Sequence, residues 1–326
     1  MGRTDYAILG AGAIGSVLGA HLARAGHAVV MLARGERAAQ IEHQGLVIRG
    51  LAEFTMPVPV VRDPSALKSA RVLVVATKTP GTAAALSALR HASFDAVLSI
   101  QNGPGKNDLL AQAFGSARVL GALADTSAEL LAGGEVLFTR NVNVVVGELP
   151  AGTSERTRRI AGEIDSAGVR CVESPQVLSR EWSKFCAWTG LMVVSVTTRL
   201  PTWQFLSDAD SARVIVRLVR ETAGLARALG IEVTDESVLP VATLAGGSEA
   251  AAVEAIQALG ARYRASAPGH RMSSLQDIDH GRPLEVHETL GYAVEKATAL
   301  GIEVPLLEAF HHLVASLDPM RRAPGP

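Results

Sequence analysis

Three glycines at the spacing of a dinucleotide-binding turn occur near the N-terminus, in Gly10-Ala11-Gly12-Ala13-Ile14-Gly15. The segment follows an apolar run, Tyr6–Leu9, and opens a helical pattern. In such a turn the first glycine allows a tight bend, the second lets the backbone approach a pyrophosphate, and the third lets the helix pack on the strand. Unpaired N–H groups at the helix start attract phosphate. A plain glycine turn is the alternative, but the flanking strand and helix favour a nicotinamide dinucleotide site over residues 10–15.

The end of the second predicted strand indicates which dinucleotide is bound. Chains that bind NAD usually place Asp or Glu there, to bind the ribose 2′-hydroxyl. Here Arg34 holds that position, and Arg37 follows three residues later. A guanidinium can bind a 2′-phosphate through two hydrogen bonds, so Arg34 predicts NADP(H) as the cofactor. Arg37 either assists Arg34 or is a solvated helix residue.

Short apolar runs alternate with helical patterns through the first half of the chain, which predicts a parallel sheet wound with helices. The predicted strands are Tyr6–Leu9, Ala28–Leu32, Val72–Val75, Ala96–Ile100 and Val119–Leu123. The predicted helices between them are Ala13–Ala25, Arg37–His43, Thr82–Leu89 and Lys106–Ala113. A hairpin of residues 135–139 and 142–146, a helix over 151–165 and a last strand over 169–172 complete this part.

Only helical patterns follow residue 174. The predicted helices are Glu181–Thr198, Ser211–Leu229, Ser248–Ser266, Pro283–Leu300 and Pro305–Leu317. We therefore predict an α/β fold in two domains: a Rossmann domain with a doubly wound sheet over residues 1–175, and an all-helical substrate domain over residues 176–326.

Bulk properties exclude several function classes. The formal net charge is −1, so no overall basic field attracts nucleic acid or an anionic membrane. The apolar stretch from Tyr6 to Leu22 is too rich in glycine for a membrane span or a signal peptide. The two cysteines, Cys171 and Cys186, have no metal-binding spacing and favour a reducing, cytoplasmic compartment. We expect a small-molecule substrate, and either a monomer or a homodimer.

Four further segments join the glycine turn in a pattern that spans nearly the whole chain. They are Ala76-Thr77-Lys78, Gln101-Asn102-Gly103, Trp182-Ser183-Lys184, and Ser273-Ser274-Leu275-Gln276-Asp277 with Glu285 beyond it. In order and spacing they resemble the ketopantoate reductase (2-dehydropantoate 2-reductase) family of pantothenate biosynthesis. The resemblance implies a C-terminal domain like that of 6-phosphogluconate dehydrogenase. It also implies hydride transfer from NADPH to the ketone of a 2-oxo acid, with ketopantoate the first candidate.

The same resemblance assigns roles to two residues of the chemistry. Lys184 matches the family's catalytic lysine, the general acid that protonates the developing alkoxide. Its apolar neighbours support this role independently, because apolar surroundings favour the neutral amine and so ease proton release. Glu285 matches a carboxylate near the ribose and the substrate. An acid that gains from the dipole of a helix start is the alternative for Glu285.

Three further residues are implied in binding. Ser273 matches a serine that binds the substrate carboxylate, with a helix cap as the alternative. Asn102 matches an asparagine that touches both cofactor and substrate, with an Asn-Gly turn as the alternative. Lys78 matches a residue that faces the cofactor, with a solvated lysine as the alternative.

The chain departs from the family at three positions. Trp188 and Met192 follow Lys184 at i+4 and i+8, so the three side chains share one stripe of a helix. Ketopantoate reductases typically place asparagines there to hold the substrate, and Leu290 replaces another expected asparagine. We therefore expect Trp188 and Met192 to line a site for a bulkier or less polar substrate. A role as plain core residues is the alternative.

Two other functions compete with ketopantoate reduction. One is a D-2-hydroxy acid dehydrogenase or a related reductase on the same scaffold. The other is a non-catalytic, NADPH-binding regulatory protein. The intact set of lysine, serine and glutamate favours an enzyme.

Overall fold

The computed structural model describes residues 4–319, in which ten strands form one mixed sheet. The strands are β1 (Tyr6–Leu9), β2 (Val29–Leu32), β3 (Leu46–Gly50), β4 (Phe54–Met56), β5 (Val60–Val61), β6 (Ser69–Val75), β7 (Ser93–Ser99), β8 (Val119–Leu130), β9 (Val136–Glu148) and β10 (Cys171–Glu173). Their order across the sheet is β4-β3-β9-β8-β7-β6-β1-β2-β5, and β10 pairs with β9.

Six of these strands have the order of a dinucleotide-binding sheet. The set β5-β2-β1-β6-β7-β8 is parallel throughout. Numbered along the chain within this set, the order is the 3-2-1-4-5-6 of the Rossmann fold. It reverses between β1 and β6, which is where such sheets bind their ligand. The predicted doubly wound sheet is confirmed.

Helices pack on both faces of this sheet because its strands are apolar on both faces. The helices of this part are α1 (Ala13–Arg24), α2 (Gly35–Gln44), α3 (Thr82–Ser87), α4 (Gly105–Phe114) and α5 (Glu155–Ser166). Along β1, Tyr6 and Ile8 join one buried apolar cluster, and Ala7 and Leu9 join another. Successive side chains of a strand point to opposite faces, so a strand covered on both sides must be apolar throughout.

The predicted hairpin over residues 135–146 is wrong. Residues Val136–Glu148 form the single long strand β9, which pairs antiparallel with β8. The chain reverses earlier, where Leu131 N donates to Glu135 O at 2.9 Å and Gly134 has a φ of 87°. The two glycines at 133–134 suit this tight turn, whereas residues 139–142 contain no glycine or proline. The short strands β3, β4 and β5 were also not predicted.

The remainder of the described chain is helical, as predicted. Its helices are α6 (Val177–Thr198), α7 (Thr202–Ser207), α8 (Ala209–Ala228), α9 (Val241–Gly246), α10 (Glu249–Ser266), α11 (Ser273–Asp279), α12 (Tyr292–Ala299) and α13 (Pro305–Leu317). Three of them, α7, α9 and α11, were not predicted and span only six or seven residues each. The helix predicted over residues 283–300 starts late, and its first turn, His287–Gly291, is π-helical.

Contacts divide the chain into two compact units. The sheet unit comprises the chain up to Asn102 and from Lys106 to Leu178. The helical unit comprises Gly103–Gly105 and the chain from Ser179 onward. The boundary predicted at 175/176 and the change of unit at 178/179 both fall at the start of α6.

Candidate active site

The glycine turn of the sheet unit has the local geometry that a pyrophosphate site needs. Gly10 has a φ of 106°, and a Cβ there would lie 2.6 Å from the backbone nitrogen of Thr77. A Cβ on Gly15 would lie 2.1 Å from the carbonyl oxygen of Gly10, so only glycine lets α1 start this close to β1. At Gly12, in contrast, a Cβ would meet no described atom within 4 Å. The open side of the turn and the start of α1 fit a bound diphosphate.

Four neighbouring strands bring the predicted cofactor residues to one edge of the sheet. In the order β2-β1-β6-β7, the carboxyl ends are followed by Arg34, the glycine turn, Lys78 and Asn102. Arg34 and Lys78 are exposed, and Asn102 is partly exposed. This edge includes the point between β1 and β6 where the strand order reverses, the usual ligand site of an open α/β sheet. The sheet unit therefore gathers its four predicted elements of cofactor binding.

Arg34 and Arg37 differ in their surroundings. Arg34 precedes α2, and its guanidinium makes no side-chain hydrogen bond or ion pair with any residue in the described part of the chain. Arg37 is half-buried and donates to Ala11 O at 2.8 Å and to Gly134 O at 2.7 Å. Arg34 is thus available to a ligand, whereas Arg37 is neither a solvated residue nor an open ligand contact.

Gln101 links two of the segments at this edge. Its Nε2 donates to Thr82 Oγ1 at 2.7 Å, to Thr77 O at 3.0 Å and to Thr77 Oγ1 at 3.1 Å. Its Oε1 accepts a hydrogen bond from Ser99 Oγ at 2.9 Å, and the side chain is buried. Because Thr77 precedes Lys78 and Gln101 precedes Asn102, this amide fixes the ends of β6 and β7 relative to each other.

Lys184 differs in exposure from its neighbours on α6 of the helical unit. From Glu181 to Val196 every residue is buried except Lys184, which is partly exposed. The helix is fixed beside it by Ser183, whose Oγ accepts the Thr234 N–H at 2.8 Å and donates to Ser179 O at 2.7 Å. Burial raises the pKa of Cys186, so that nearby thiol stays protonated. Lys184 is thus the residue of this segment whose side chain is partly open to its surroundings.

Trp188 and Met192 are buried residues of α6 that lie outside one large apolar core cluster of the helical unit. That core takes from α6 the residues Cys186, Ala187, Leu191 and Val194. At about 100° per residue, Trp188 lies about 40° and Met192 about 80° around the helix from Lys184, while Leu191 of that core lies about 20° from Lys184 on the other side. The Trp188 ring stacks on Phe185 with centroids 6.4 Å apart.

The remaining predicted residues belong to the second half of the helical unit. Ser273 is exposed as the first residue of α11, and the residue before it, Met272, is the N-cap, so Ser273 does not cap the helix. Glu285 is buried just before the π-helical turn, and its carbonyl accepts a hydrogen bond from the Thr289 hydroxyl. Leu290 is fully buried within that turn.

Sequence reasoning missed the contacts of three polar residues that hold these segments in place. Gln101 and Ser183 lay inside recognised motifs without a predicted role. Arg37 was predicted to assist Arg34 or to be a solvated helix residue, not to bind the carbonyls of Ala11 and Gly134. A polar residue inside an otherwise apolar strand end or helix was the available signal for Gln101 and Ser183.

Across residues 4–319, no helix combines the length and hydropathy needed to cross a membrane. Within that same stretch, no three His, Cys, Asp or Glu side chains are grouped so that they could hold a metal ion.

Comparison with known proteins finds similarity to one protein family over most of the chain. The family model "Ketopantoate reductase PanE/ApbA" matches residues 6–151, and "Ketopantoate reductase PanE/ApbA C terminal" matches residues 176–318. A 2-dehydropantoate 2-reductase of Pyrococcus abyssi is 28% identical over 301 residues, which covers 92% of this chain and 93% of the relative.

Solved structures share the architecture. The PanE/ApbA family ketopantoate reductase from Ralstonia eutropha JMP134 superposes with a TM-score of 0.82 at 26% identity, covering 98% of this chain and 100% of that one. The ternary structure of D-mandelate dehydrogenase with NADH and anilino(oxo)acetate superposes with a TM-score of 0.83 over 97% of this chain and 99% of its own. At 18% identity, the second likeness shows the fold alone.

Proposed function

The chain belongs to the ketopantoate reductase family, whose members are nicotinamide-dependent oxidoreductases acting on CH–OH and C=O groups, and on that premise we propose that it reduces a 2-oxo acid with NADPH. The first candidate substrate is ketopantoate, with pantoate as the product. The observation that carries the proposal is Lys184, the one partly exposed residue in the otherwise buried stretch of α6 from Glu181 to Val196.

Arg34 supports NADPH as the reductant. It follows β2, the strand whose end normally carries the acid that binds an unphosphorylated ribose. Its guanidinium is exposed and makes no hydrogen bond or ion pair within residues 4–319, so its donors can serve a 2′-phosphate. A carboxylate at this position would instead repel that phosphate.

The proposed reaction needs one hydride and one proton. A nicotinamide dinucleotide bound at the glycine turn would supply the hydride for the carbonyl carbon. As the C=O π bond breaks, its electron pair moves onto oxygen, and Lys184 Nζ donates a proton to that oxygen. Ser273 would hold the substrate carboxylate, while Asn102 and Glu285 would orient the cofactor and substrate. Lys184 then recovers a proton from solvent through its exposed part.

A second candidate within the same chemistry is a D-2-hydroxy acid dehydrogenase that acts on a bulkier, less polar 2-oxo acid. Trp188 and Met192 favour it, because they lie on the Lys184 side of α6 and offer no hydrogen bond to a substrate hydroxyl other than the Trp188 N–H. A pocket without polar partners discriminates poorly in favour of a hydroxylated substrate such as ketopantoate.

The decisive experiment is NADPH oxidation by the intact protein with a panel of 2-oxo acids. The panel contains ketopantoate, a branched apolar 2-oxo acid and an aromatic 2-oxo acid, each with and without added amine. Turnover of ketopantoate supports the first candidate, and preference for an apolar acid supports the second. Tight NADPH binding without turnover of any carbonyl would overturn both and indicate a regulatory protein.

Substitution of Lys184 tests the proposed proton donor. Lys184→Ala should lower kcat by about 10²-fold or more while NADPH affinity is retained, since general acid catalysis contributes on that scale. Lys184→Arg should fail similarly, because arginine does not release a proton near neutral pH. The exposed Lys68 provides the matched control, and Lys68→Ala should keep full activity. An unchanged kcat in Lys184→Ala would remove this residue from the mechanism.

A further inference from the structure

The Arg37 guanidinium connects three separate parts of the sheet unit. Its Nε donates to Ala11 O at 2.8 Å, inside the glycine turn. Its Nη2 donates to Ser16 Oγ at 3.0 Å, in the first turns of α1. Its Nη1 donates to Gly134 O at 2.7 Å, in the turn between β8 and β9. One side chain from the start of α2 therefore ties the glycine turn to the rest of the unit.

These contacts fix the carbonyl side of the glycine turn. Ala11 O accepts from Arg37 and also from Ser16 Oγ at 3.1 Å, and Ser16 is fully buried. A peptide plane whose oxygen is held inward by two donors cannot rotate freely. A binding turn that is ordered before the ligand arrives loses less conformational entropy when the ligand binds.

Arginine suits this position because its planar fork can reach several acceptors at once. A lysine has a single ammonium on a flexible stem and cannot span the oxygens of Ala11, Ser16 and Gly134 together. Burial lowers the pKa of Arg37 from its ordinary value, but an arginine stays charged near neutral pH. In the chain from residue 4 to residue 319, no carboxylate forms an ion pair with it, so its positive charge remains uncompensated beside the turn.

We propose that Arg37 is a positioning residue that holds the glycine turn ready for the diphosphate of the dinucleotide. This role rests on the proposed function, since it presumes that the turn binds a nicotinamide dinucleotide. It is separate from recognition of the 2′-phosphate, which belongs to the exposed Arg34. Arg37 thus affects binding of the diphosphate, which NADPH and NADH share. Arg34 affects binding of the 2′-phosphate, which only NADPH carries.

The test compares Arg37→Gln and Arg34→Gln in the full chain. The Kd of NADPH and the Kd of NADH are measured by fluorescence titration, with the thermal midpoint recorded in parallel. Arg37→Gln should weaken both dinucleotides by a similar factor of about tenfold, and should raise the NADPH KM with little change in kcat. Arg37→Lys should weaken both dinucleotides as Arg37→Gln does, because lysine keeps the positive charge but lacks the planar guanidinium with its several donors. Arg34→Gln should weaken NADPH alone.

The possible outcomes distinguish failure of the positioning role of Arg37 from failure of the assignment of NADPH as cofactor. If Arg37→Gln weakens only NADPH, Arg37 is itself a 2′-phosphate ligand and the proposal is overturned. If both Kd values stay unchanged while the thermal midpoint falls, Arg37 is merely structural, which also overturns it. If Arg34→Gln leaves NADPH binding intact while Arg37→Gln weakens both dinucleotides, the NADPH assignment fails and the positioning role stands.

A second variant covers the case in which Arg37→Gln does not fold. Ser16→Ala removes the other donor to Ala11 O and leaves the links from Arg37 to Ala11 and Gly134 in place. It should weaken both dinucleotides in the same direction by a smaller factor, about two- to threefold, which corresponds to part of one hydrogen bond. Unchanged affinity for both dinucleotides in Ser16→Ala would contradict the idea that a fixed Ala11 carbonyl prepares the turn.

Discussion

Gln101 Nε2 donates a hydrogen bond to the Thr82 hydroxyl at 2.7 Å, and the same nitrogen reaches the carbonyl of Thr77 at 3.0 Å. The end of β7 is thereby joined to the end of β6 and to the start of α3. Gln101→Met keeps the length of the side chain but removes both donors. We expect a loss of about 1–3 kcal/mol in the free energy of unfolding, because buried oxygens lose their partner.

The same variant should affect the cofactor site. Lys78 and Asn102 are each attached to a segment that Gln101 holds, so we expect the NADPH KM to rise by about tenfold, the equivalent of roughly one hydrogen bond. Steady-state kinetics and urea denaturation provide the two measurements. Gln112 is exposed on α4, and Gln112→Met serves as the control that should change neither quantity. Wild-type KM in Gln101→Met would show that the two segments hold their positions without this amide.

Two fully buried serines of α6 offer a matched comparison. Ser183 Oγ is bonded to the Thr234 N–H and to Ser179 O, whereas Ser195 Oγ has no partner among the described residues. Ser183→Ala should lower the free energy of unfolding by about 1–2 kcal/mol, because it leaves a backbone N–H without a partner. Ser195→Ala should be neutral or stabilising by up to about 1 kcal/mol, since it removes an unsatisfied hydroxyl. Equal losses in both variants would contradict the difference in bonding.

His21 should make stability depend on pH. Its Nδ1 donates to Ala167 O at 2.9 Å, and its Nε2 is buried with no partner in the described part of the chain. Burial lowers the pKa of His21 below its ordinary value of 6.5. The unfolded chain therefore binds a proton at this residue more readily than the folded chain, and stability rises with pH and is lost as the pH falls below about 6.5.

The contribution of His21 is measured by urea denaturation at pH 5, 6, 7 and 8, followed by circular dichroism. The slope contributed by one proton is at most about 1.4 kcal/mol per pH unit. His21→Gln keeps a donor for Ala167 O but does not titrate, so its stability should decline less between pH 7 and pH 5. His43→Gln, at an exposed histidine, controls for loss of an imidazole as such. A decline as steep as in the wild type would exclude His21 as the source.

Trp188 and Met192 should determine substrate preference if the proposed function holds. The double variant Trp188→Asn and Met192→Asn introduces amides at two positions of the Lys184 stripe. We expect the ratio of kcat/KM for ketopantoate to kcat/KM for an aromatic 2-oxo acid to rise by about tenfold or more, as expected when a site gains partners for a substrate hydroxyl.

The same experiment needs a control for loss of a large side chain. Trp203 belongs to α7 rather than α6, and the guanidinium carbon of Arg264 lies 5.1 Å from the centroid of its ring. Trp203→Asn should leave the ratio of the two kcat/KM values unchanged. Thermal midpoints of all variants show whether buried asparagines cost stability, which is expected for polar groups placed in apolar surroundings. An unaltered ratio in the double variant would mean that neither side chain contacts the substrate.

The parts of the fold that follow from local pattern could be predicted from the sequence. The strand β1 and helix α13 begin and end where the pattern placed them, and the glycine turn has the predicted backbone geometry. Prediction from the sequence failed where pairing between strands determines the structure. Residues 139–142 contain no glycine or proline, yet the apolar runs on either side suggested two strands. Only the pairing with β8 shows that β9 is continuous. The strands β4 and β5, of three and two residues, are too short for a pattern to form.

In the candidate site, the residues of the recognised segments that follow strand ends could be assigned to one edge of the sheet from the sequence. This is because strand order determines which strand ends are neighbours. The contacts of Arg37 could not, since the partner at Gly134 is nearly a hundred positions away along the chain and offers only a carbonyl. Nothing in a one-dimensional pattern marks a backbone oxygen as an acceptor for a distant side chain. Supporting contacts of this kind become visible only after the chain has folded.

The position of β3 has a consequence for how the protein is made. Ile48 of β3 pairs with Val136 of β9, so a strand synthesised early finds its neighbour only after most of the sheet has left the ribosome. Until then, one side of β3 exposes unpaired N–H and C=O groups that can join strands of other nascent chains. Expression conditions that slow translation between these two strands should therefore favour aggregates over native protein.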